Sequence, residues 1–224
     1  MIPAALESFR TDYRQQVIGG RYSGWGHLAF TAITCLALIL WCISGLDGVT
    51  GWELIVIPFT ILYANLSEYL GHKGPMHHPT RPITIIYQRH TLHHHEFFTQ
   101  DHMTFEGTND FHAVLFPPVM LLFFTVCFAL PVGVVIWWLT TANVALLFGA
   151  TALGYFLNYE LLHFAYHMRP DSWVGRLPFM AVLRRHHTVH HDKALMARYN
   201  FNITYPICDW LFSTWYREDQ TGNR

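Results

Sequence analysis

Histidine is the residue type that sets this sequence apart, because sixteen of its 224 residues are histidine. Fifteen of them lie between His72 and His191, and thirteen of these gather into four short motifs. In chain order the motifs are HKGPMHH, RHTLHHH, HFAYH and RRHHTVHH. A neutral imidazole offers a nitrogen lone pair that suits iron, zinc, copper or nickel, whereas magnesium and calcium prefer oxygen ligands. The composition therefore indicates metal or proton chemistry.

The spacing within the motifs places several imidazole rings on one side of a helix. Each helical residue advances by about 100°, so residues three or four positions apart share a face. Two motifs repeat the spacing HxxHH, and His163 and His167 form an i, i+4 pair that can grip one ion. The two HxxHH sets are His90, His93 and His94, and His187, His190 and His191. Repeated spacing of this kind predicts metal ligands on helices.

The first motif suits the end of a helix rather than one of its faces. His72 and His77 are five residues apart, and Gly74 and Pro75 between them stop a helix. The next residue is also a histidine, so His77 and His78 compete for one ligand position.

Two further histidines have an open interpretation, and they affect the size of the ligand set. His95 falls away from the face of its neighbours, which predicts a position behind the ligands or in solvent. His186 is ambiguous because it also aligns with His190.

Ten histidines would serve two ions with about five ligands each, whereas one ion needs about four to six. The pattern therefore predicts a dinuclear site.

Carboxylates are scarce near these motifs, which separates the sequence from soluble di-iron bundles built on glutamate. A histidine ligand usually donates its other ring N–H to an acceptor. Glu68 precedes His72 by four residues, and Glu160 precedes His163 by three. We expect Glu68 and Glu160, together with Asn158, to orient the ligands from behind.

The elements that must position these histidines are apolar. Hydrophobic residues make up 52% of the chain and charged residues 13%, with a mean hydropathy of +0.20. A membrane-spanning helix needs about 20 apolar residues. Four segments are long enough, at about residues 28–46, 52–70, 113–139 and 142–168. Residues 132–139 could belong to either of the last two spans.

The basic residues test this four-span topology. Every one of the 14 Lys and Arg residues falls in the three segments that four spans place on one face. The positive-inside rule makes that face cytoplasmic, with both termini there. All four histidine motifs fall on the same side or at the cytoplasmic end of a span. The sequence predicts an all-α integral membrane protein of four transmembrane helices, with a cytoplasmic histidine-rich helical cap that holds the dinuclear site.

The remaining organisation is simple. Residues 1–26 are a polar cytoplasmic lead-in without a cleavable signal sequence, residues 27–216 form the membrane-embedded domain, and residues 217–224 form a tail. The closing TGNR carries no retrieval signal, and either a bacterial inner membrane or the endoplasmic reticulum would fit. The net charge of −1 gives no basic surface for nucleic acid.

With these motifs in this order, residues 50–216 resemble the fatty acid hydroxylase superfamily, which includes sterol desaturases and fatty acid 2-hydroxylases. The closing stretch FNITYPICDWLFSTWY is similar to the family's ending near the last histidine motif. The stretch FHAVLFPP resembles the fatty acid 2-hydroxylases in particular. The resemblance implies two iron ions, with zinc as the alternative in purified protein, and O2 as co-substrate. The implied ligands are His72, His77, His90, His93, His94, His163, His167, His187, His190 and His191.

The resemblance also implies a reaction and partners. The substrate would be a fatty acid or lipid, most simply hydroxylated on its acyl chain, with desaturation of a sterol or other lipid as the alternative. No HPGG heme signature precedes the spans, so electrons would come from a separate cytochrome b5 or ferredoxin.

Two other classes of membrane protein are also rich in histidine. A metal transporter predicts polar groups midway along several spans, but the first and third spans have almost none. A heme electron carrier predicts isolated histidine pairs on facing spans rather than HxxHH sets. The motif set therefore favours the oxidase.

Overall fold

The computed structural model describes residues 2–218, and these residues form helices and turns without a β-strand. The α-helices are α1 (Ala4–Gln16), α2 (Gly24–Ser44), α3 (Val56–Gly71), α4 (Thr84–Tyr87), α5 (His95–Phe97), α6 (Phe111–Val114), α7 (Pro118–Phe124), α8 (Leu130–Leu139), α9 (Ala142–Tyr166), α10 (Met180–His190) and α11 (Ile207–Leu211). Short 3-10 turns lie at Glu53–Ile55 and Thr108–Asp110, and π-helical turns at His72–Met76, Gln88–His94 and Thr125–Ala129. The predicted all-helical class is confirmed for this part of the chain.

Four helical runs within residues 2–218 are long and apolar enough to cross a membrane, as predicted. They are Gly24–Ser44, Glu53–Met76, Thr108–Leu139 and Ala142–Tyr166. The chain leaves helical geometry at Thr140, where φ is −136° and ψ is −120°. Residues 132–139 therefore belong to the third run.

Proline shapes the third run. Pro117 and Pro118 stand at the start of α7, where a missing N–H costs nothing because the first helical N–H groups have no partner anyway. Pro131 lies inside the run and cannot donate to the preceding turn. The π-helical turn Thr125–Ala129 comes directly before α8 and relieves this interruption without ending the run.

The described chain divides into two compact units, which differ in the residues that they bury. The apolar unit consists of Trp25–Ala64 and Leu115–Leu161. Its core includes Cys35, Leu121 and Leu153, while the large side chains of Trp41 and Trp138 are 68% and 81% exposed. Helices that are apolar on every side are typical of membrane spans.

The histidine unit consists of the residues up to Gly24, Asn65–Val114 and the residues from Leu162 onward. Its core packs Tyr13 of α1 against aromatic and aliphatic side chains that follow the second histidine motif. These are Phe97, Phe98, Met103, Ala113 and Val114. A smaller core joins Tyr69, Phe201 and Cys208. All the histidines that gather in space belong to this unit.

The predicted domain limits at residues 26 and 216 stay predictions. Of the predicted tail, residues 219–224, including TGNR, lie outside the described part of the chain.

Candidate metal centre

Ten histidines of the histidine unit converge into two groups of five. The first group is His72, His77, His90, His95 and His190, and the second group is His94, His163, His167, His187 and His191. Within each group, one ring nitrogen per residue lies within 4.8 Å of all the others. All ten side chains are buried, with exposed fractions of 0 to 6%.

Helix ends and π-helical turns bring these rings together. His72 begins the π-helical turn that follows α3, and Gly74 then takes φ −87° and ψ −105°, outside the helical region. This kink turns the chain so that the ring centroids of His72 and His77 lie 5.0 Å apart. His163 lies in the last turn of α9, and His187 and His190 lie in the last turn of α10.

Neighbouring residues in two motifs serve different groups. His94 belongs to the second group and His95 to the first. In the same way His190 belongs to the first group and His191 to the second. The two groups therefore share the second and fourth histidine motifs, whereas the first motif serves only the first group and the third motif only the second.

The structure brings nine of the ten predicted ligands into these groups, but not His93. The segment Gln88–His94 is π-helical, and in a π-helix residues five apart lie one turn apart. His90 and His95 have that separation, and their Nε2 atoms lie 3.0 Å apart. His95 was expected either behind the ligands or in solvent; it is 1% exposed, so the solvent position is wrong. His93 instead packs edge-on against Tyr13, with ring centroids 5.3 Å apart.

The structure also shows where His77, His78 and His186 lie. His77 lies in the first group, whereas His78 is exposed and its Nδ1 bonds to the Lys73 carbonyl at 2.9 Å. His186 lies in neither group, and its Nε2 is 3.2 Å from Asp209 Oδ2.

Backbone carbonyls, rather than carboxylates, hold half of the ten rings. Each of five rings donates its Nδ1–H to a carbonyl oxygen, which can only accept. In the first group His72 donates to Phe201 and His190 to Tyr199; in the second His94 donates to Ala113, His167 to Met103 and His191 to Phe98. These bonds fix the tautomer that leaves a lone pair on Nε2.

The resulting lone pairs face one another. His94 and His191 both donate through Nδ1, yet their Nε2 atoms lie 3.2 Å apart. Two lone pairs cannot form a hydrogen bond, so a cation between them is the arrangement that makes this geometry favourable. Nitrogen atoms bound to one ion at about 2.1 Å, and 90° apart, would lie about 3 Å from each other. The donor set therefore fits a metal ion.

Similar approaches occur in both groups. In the first group, the Nε2 of His72 is 2.8 Å from that of His90, and the Nε2 of His77 is 3.0 Å from that of His190. In the second group, the Nε2 of His187 is 3.2 Å from that of His167 and 3.0 Å from that of His191.

The surroundings keep these rings neutral. Burial, reinforced by the neighbouring histidines, lowers the pKa of His90, His95 and His187 well below the ordinary value of 6.5. Burial likewise lowers the pKa of His94 to about 3 and that of His190 to about 4. Neutral imidazole is the protonation state that binds a metal ion.

The carboxylates expected behind the ligands have other partners. Glu68 accepts hydrogen bonds from the backbone N–H groups of Ile203 and Thr204 and from the Thr204 hydroxyl. Within the apolar unit, Glu160 accepts the N–H of Phe116 at 3.1 Å. Asn158 is half-buried on α9. Glu68 thus acts on the loop that presents the Phe201 carbonyl.

Asp209 acts on that same loop. Its carboxylate accepts the N–H groups of Phe201 and Asn202 at 2.9 and 2.8 Å, and the Thr214 hydroxyl at 2.7 Å. The carbonyls of Tyr199 and Phe201, which hold His190 and His72, lie on this loop. Residue type alone does not indicate this role, because two of these partners are backbone N–H groups.

This chain is similar to known proteins in sequence and in fold. A family model described as fatty acid hydroxylase matches residues 57–214. A solved structure of full-length scs7p, in which only the hydroxylase domain is visible, is similar with a TM-score of 0.59 and 20% sequence identity. The similarity covers 88% of this chain and 68% of that chain. No curated protein sequence matches the chain significantly.

Proposed function

This chain belongs to the fatty acid hydroxylase family, and on that premise we propose that it is a di-iron membrane enzyme that hydroxylates an acyl chain of a fatty acid or lipid. The family itself supports an oxidoreductase that acts on lipid, in agreement with the sequence prediction. The finer parts of the proposal are the metal pair, O2 as co-substrate and the acyl-chain carbon as the site of reaction.

One observation supports the metal pair above all others. Ten buried imidazoles form two groups of five, and the rings with a carbonyl partner on Nδ1 turn their Nε2 lone pairs toward their own group. The proposed ligands are the nine predicted histidines that lie in these groups, with His95 in place of His93. When bound, two iron ions would supply the O2-dependent oxidation of an unactivated C–H bond.

The chain's own residues supply geometry and a dry environment. The carbonyls of Phe98, Met103 and Ala113 orient rings of the second group, and those of Tyr199 and Phe201 orient rings of the first. The Phe98 ring packs 4.2 Å from the ring of His167, centroid to centroid, and is fully buried. A water-excluding site of this kind protects reactive chemistry from solvent.

The proposed topology places both termini and the metal site in the cytoplasm. It rests on the four apolar runs and on the location of all Lys and Arg residues in three segments. A separate electron donor, of the cytochrome b5 or ferredoxin type, would meet this face. Arg185 is an exposed basic residue that could face an acidic donor, although it also pairs with Glu218 at 2.7 Å.

Metal content and product identity together test the proposal. We expect about two metal ions per chain by mass spectrometry of detergent-purified protein, without a heme absorption band. We also expect hydroxylated acyl chains in the lipids of expressing cells, absent with the His187→Ala variant. A desaturated product would favour the alternative reaction, while a strong heme band or no bound metal would contradict the di-iron site.

A further inference from the structure

Helix α1 inserts an arginine into the segment that follows the second histidine motif. The Arg10 side chain is 2% exposed, although arginine is rarely buried this completely. Its Nε donates to the Phe97 carbonyl at 2.9 Å, and its Nη2 donates to the His102 carbonyl at 2.8 Å. The remaining nitrogen, Nη1, pairs with Glu106. One guanidinium thus bonds to three positions of residues 97–106, called the acceptor segment below.

The acceptor segment is also where two rings of the second group are held. His191 donates its Nδ1–H to Phe98 at 2.6 Å, and His167 donates to Met103 at 2.8 Å. Each of these carbonyls belongs to the residue directly after one that Arg10 bonds, Phe97 and His102 respectively. Arg10 and the two histidines therefore bond to neighbouring carbonyls of the same stretch of backbone.

Beyond α5 this segment has little regular structure of its own. It runs through turns and bends after α5 ends at Phe97, with a single bridge between Thr99 and His102. The Cζ atom of the Arg10 guanidinium also lies 5.0 Å from the Phe97 ring centroid and 5.7 Å from that of Phe98. Removing the guanidinium would leave the buried Phe97 carbonyl and the part-buried His102 carbonyl without this donor.

The carbonyls that orient rings of the first group lie elsewhere in the chain. They belong to Tyr199 and Phe201, on the loop that Asp209 holds. Both are about a hundred residues away in sequence from the acceptor segment, and the bonds of Arg10 reach neither of them.

We propose that Arg10 is a positioning residue for the second histidine group, and that it acts by fixing the carbonyls that orient His167 and His191. Helix α1 lies before residue 57, where the family match begins, so this support comes from outside the matched region. The inference rests on the proposed function, because it requires that both groups bind metal.

The test measures metal release from the purified, loaded protein into a chelator, with each ion followed as a separate kinetic phase. Loss of a group behind a ligand typically weakens metal binding by about 10–100-fold. We expect Arg10→Met to accelerate one phase by about that factor and to leave the other within about twofold. Arg10→Lys keeps the charge but not the planar fork, so it should accelerate the same phase less strongly.

Variants that empty one group identify the affected ion. In His190→Ala, which removes a first-group ligand, adding Arg10→Met should accelerate release of the remaining ion. In His163→Ala, which removes a second-group ligand, adding Arg10→Met should leave the remaining ion unaffected. Arg14→Met is the matched control. Arg14 lies on the same helix and also pairs with Glu106, but its other ion-pair partner is the Asp110 side chain.

The outcomes separate the inference from the proposed function. Three results would overturn the inference about Arg10 and leave the proposed function intact. They are equal acceleration of both phases by Arg10→Met, no acceleration of either phase, and the same effect from Arg14→Met. Fewer than two bound ions in the wild-type protein would overturn the proposed function, and this inference with it. If Arg10→Met does not fold, Arg10→Lys provides the same comparison of the two phases.

Discussion

His90 and His95 are five residues apart, yet their Nε2 atoms lie 3.0 Å from each other because the chain between them is π-helical. An α-helix would have separated these two rings by more than one turn and would have brought His93 to the same side as His90. The π-helical turn therefore decides which ring of RHTLHHH joins the first group.

The choice between His93 and His95 can be measured directly. We expect His95→Ala to lower the bound metal from about two ions per chain toward one, because it removes one of five first-group nitrogens. His93→Ala should keep both ions, since its ring packs on Tyr13 instead. Metal content by mass spectrometry is the measurement. Retention of both ions in His95→Ala, with loss in His93→Ala, would restore the α-helical interpretation.

Asp209→Asn should weaken the first group selectively. The carboxylate accepts the Phe201 and Asn202 N–H groups, and an amide that rotates its NH2 toward them cannot accept both. We expect metal release from one site to become about 10–100-fold faster. Asp192→Asn is a suitable control, because Asp192 bonds to the nearby N–H of Ala194 on the surface. An equal response of both sites would argue against separate support for the two groups.

Protonation of Glu106 at low pH should weaken its ion pairs with Arg10 and Arg14 of α1. Partial burial raises the pKa of this carboxyl, but hydrogen bonds and attraction from Arg14 and Arg10 outweigh it, so the net pKa lies below the ordinary 4.5. A lowered pKa means that the carboxylate adds stability above pH 4.5, and that this stability is lost as the pH falls through the folded-state pKa.

The comparison of wild type with Glu106→Gln isolates this contribution. We expect the melting temperature of the wild type to exceed that of the variant at pH 7, and the difference to shrink as the pH falls below about 4.5. Melting temperatures in detergent at several pH values provide the measurement. A difference that grows as the pH falls would show that the pairing with Arg10 and Arg14 does not lower the pKa.

Gly24 lets Thr108 and Phe111 pack closely against its backbone, because any other residue type at this position would add a Cβ atom. A Cβ atom at this position would lie 2.1 Å from the Thr108 carbonyl oxygen and 2.6 Å from the Phe111 ring. We expect Gly24→Ala to lower the free energy of unfolding by about 1–3 kcal/mol, as overpacking does elsewhere. Gly20→Ala, whose Cβ would meet nothing within 4 Å, should have little effect. Chemical denaturation of both variants tests the comparison.

The sequence predicts the spans and most of the grouped histidines for different reasons. A run of about twenty apolar residues indicates a membrane span, because few other structures require one. The dense histidine motifs predict nine of the ten grouped histidines. The exchange of His93 for His95 was not predictable from α-helical periodicity. A π-helical turn depends on the tertiary structure around it rather than on local spacing.

The support behind the ligands was hidden for another reason. Carbonyl acceptors such as those of Phe98 and Tyr199 leave no trace in residue type, because every residue has a carbonyl. The contacts of Arg10 join positions about ninety residues apart, at separations of 87 to 96 residues. No periodicity within a helix can indicate pairs of this kind.

Adjacent histidines that belong to different groups, His94 with His95 and His190 with His191, give the two sites a common backbone register. Inserting or deleting one residue within either motif would rotate a ring of each group at once. Either motif can therefore be transplanted or redesigned only together with its contributions to both sites.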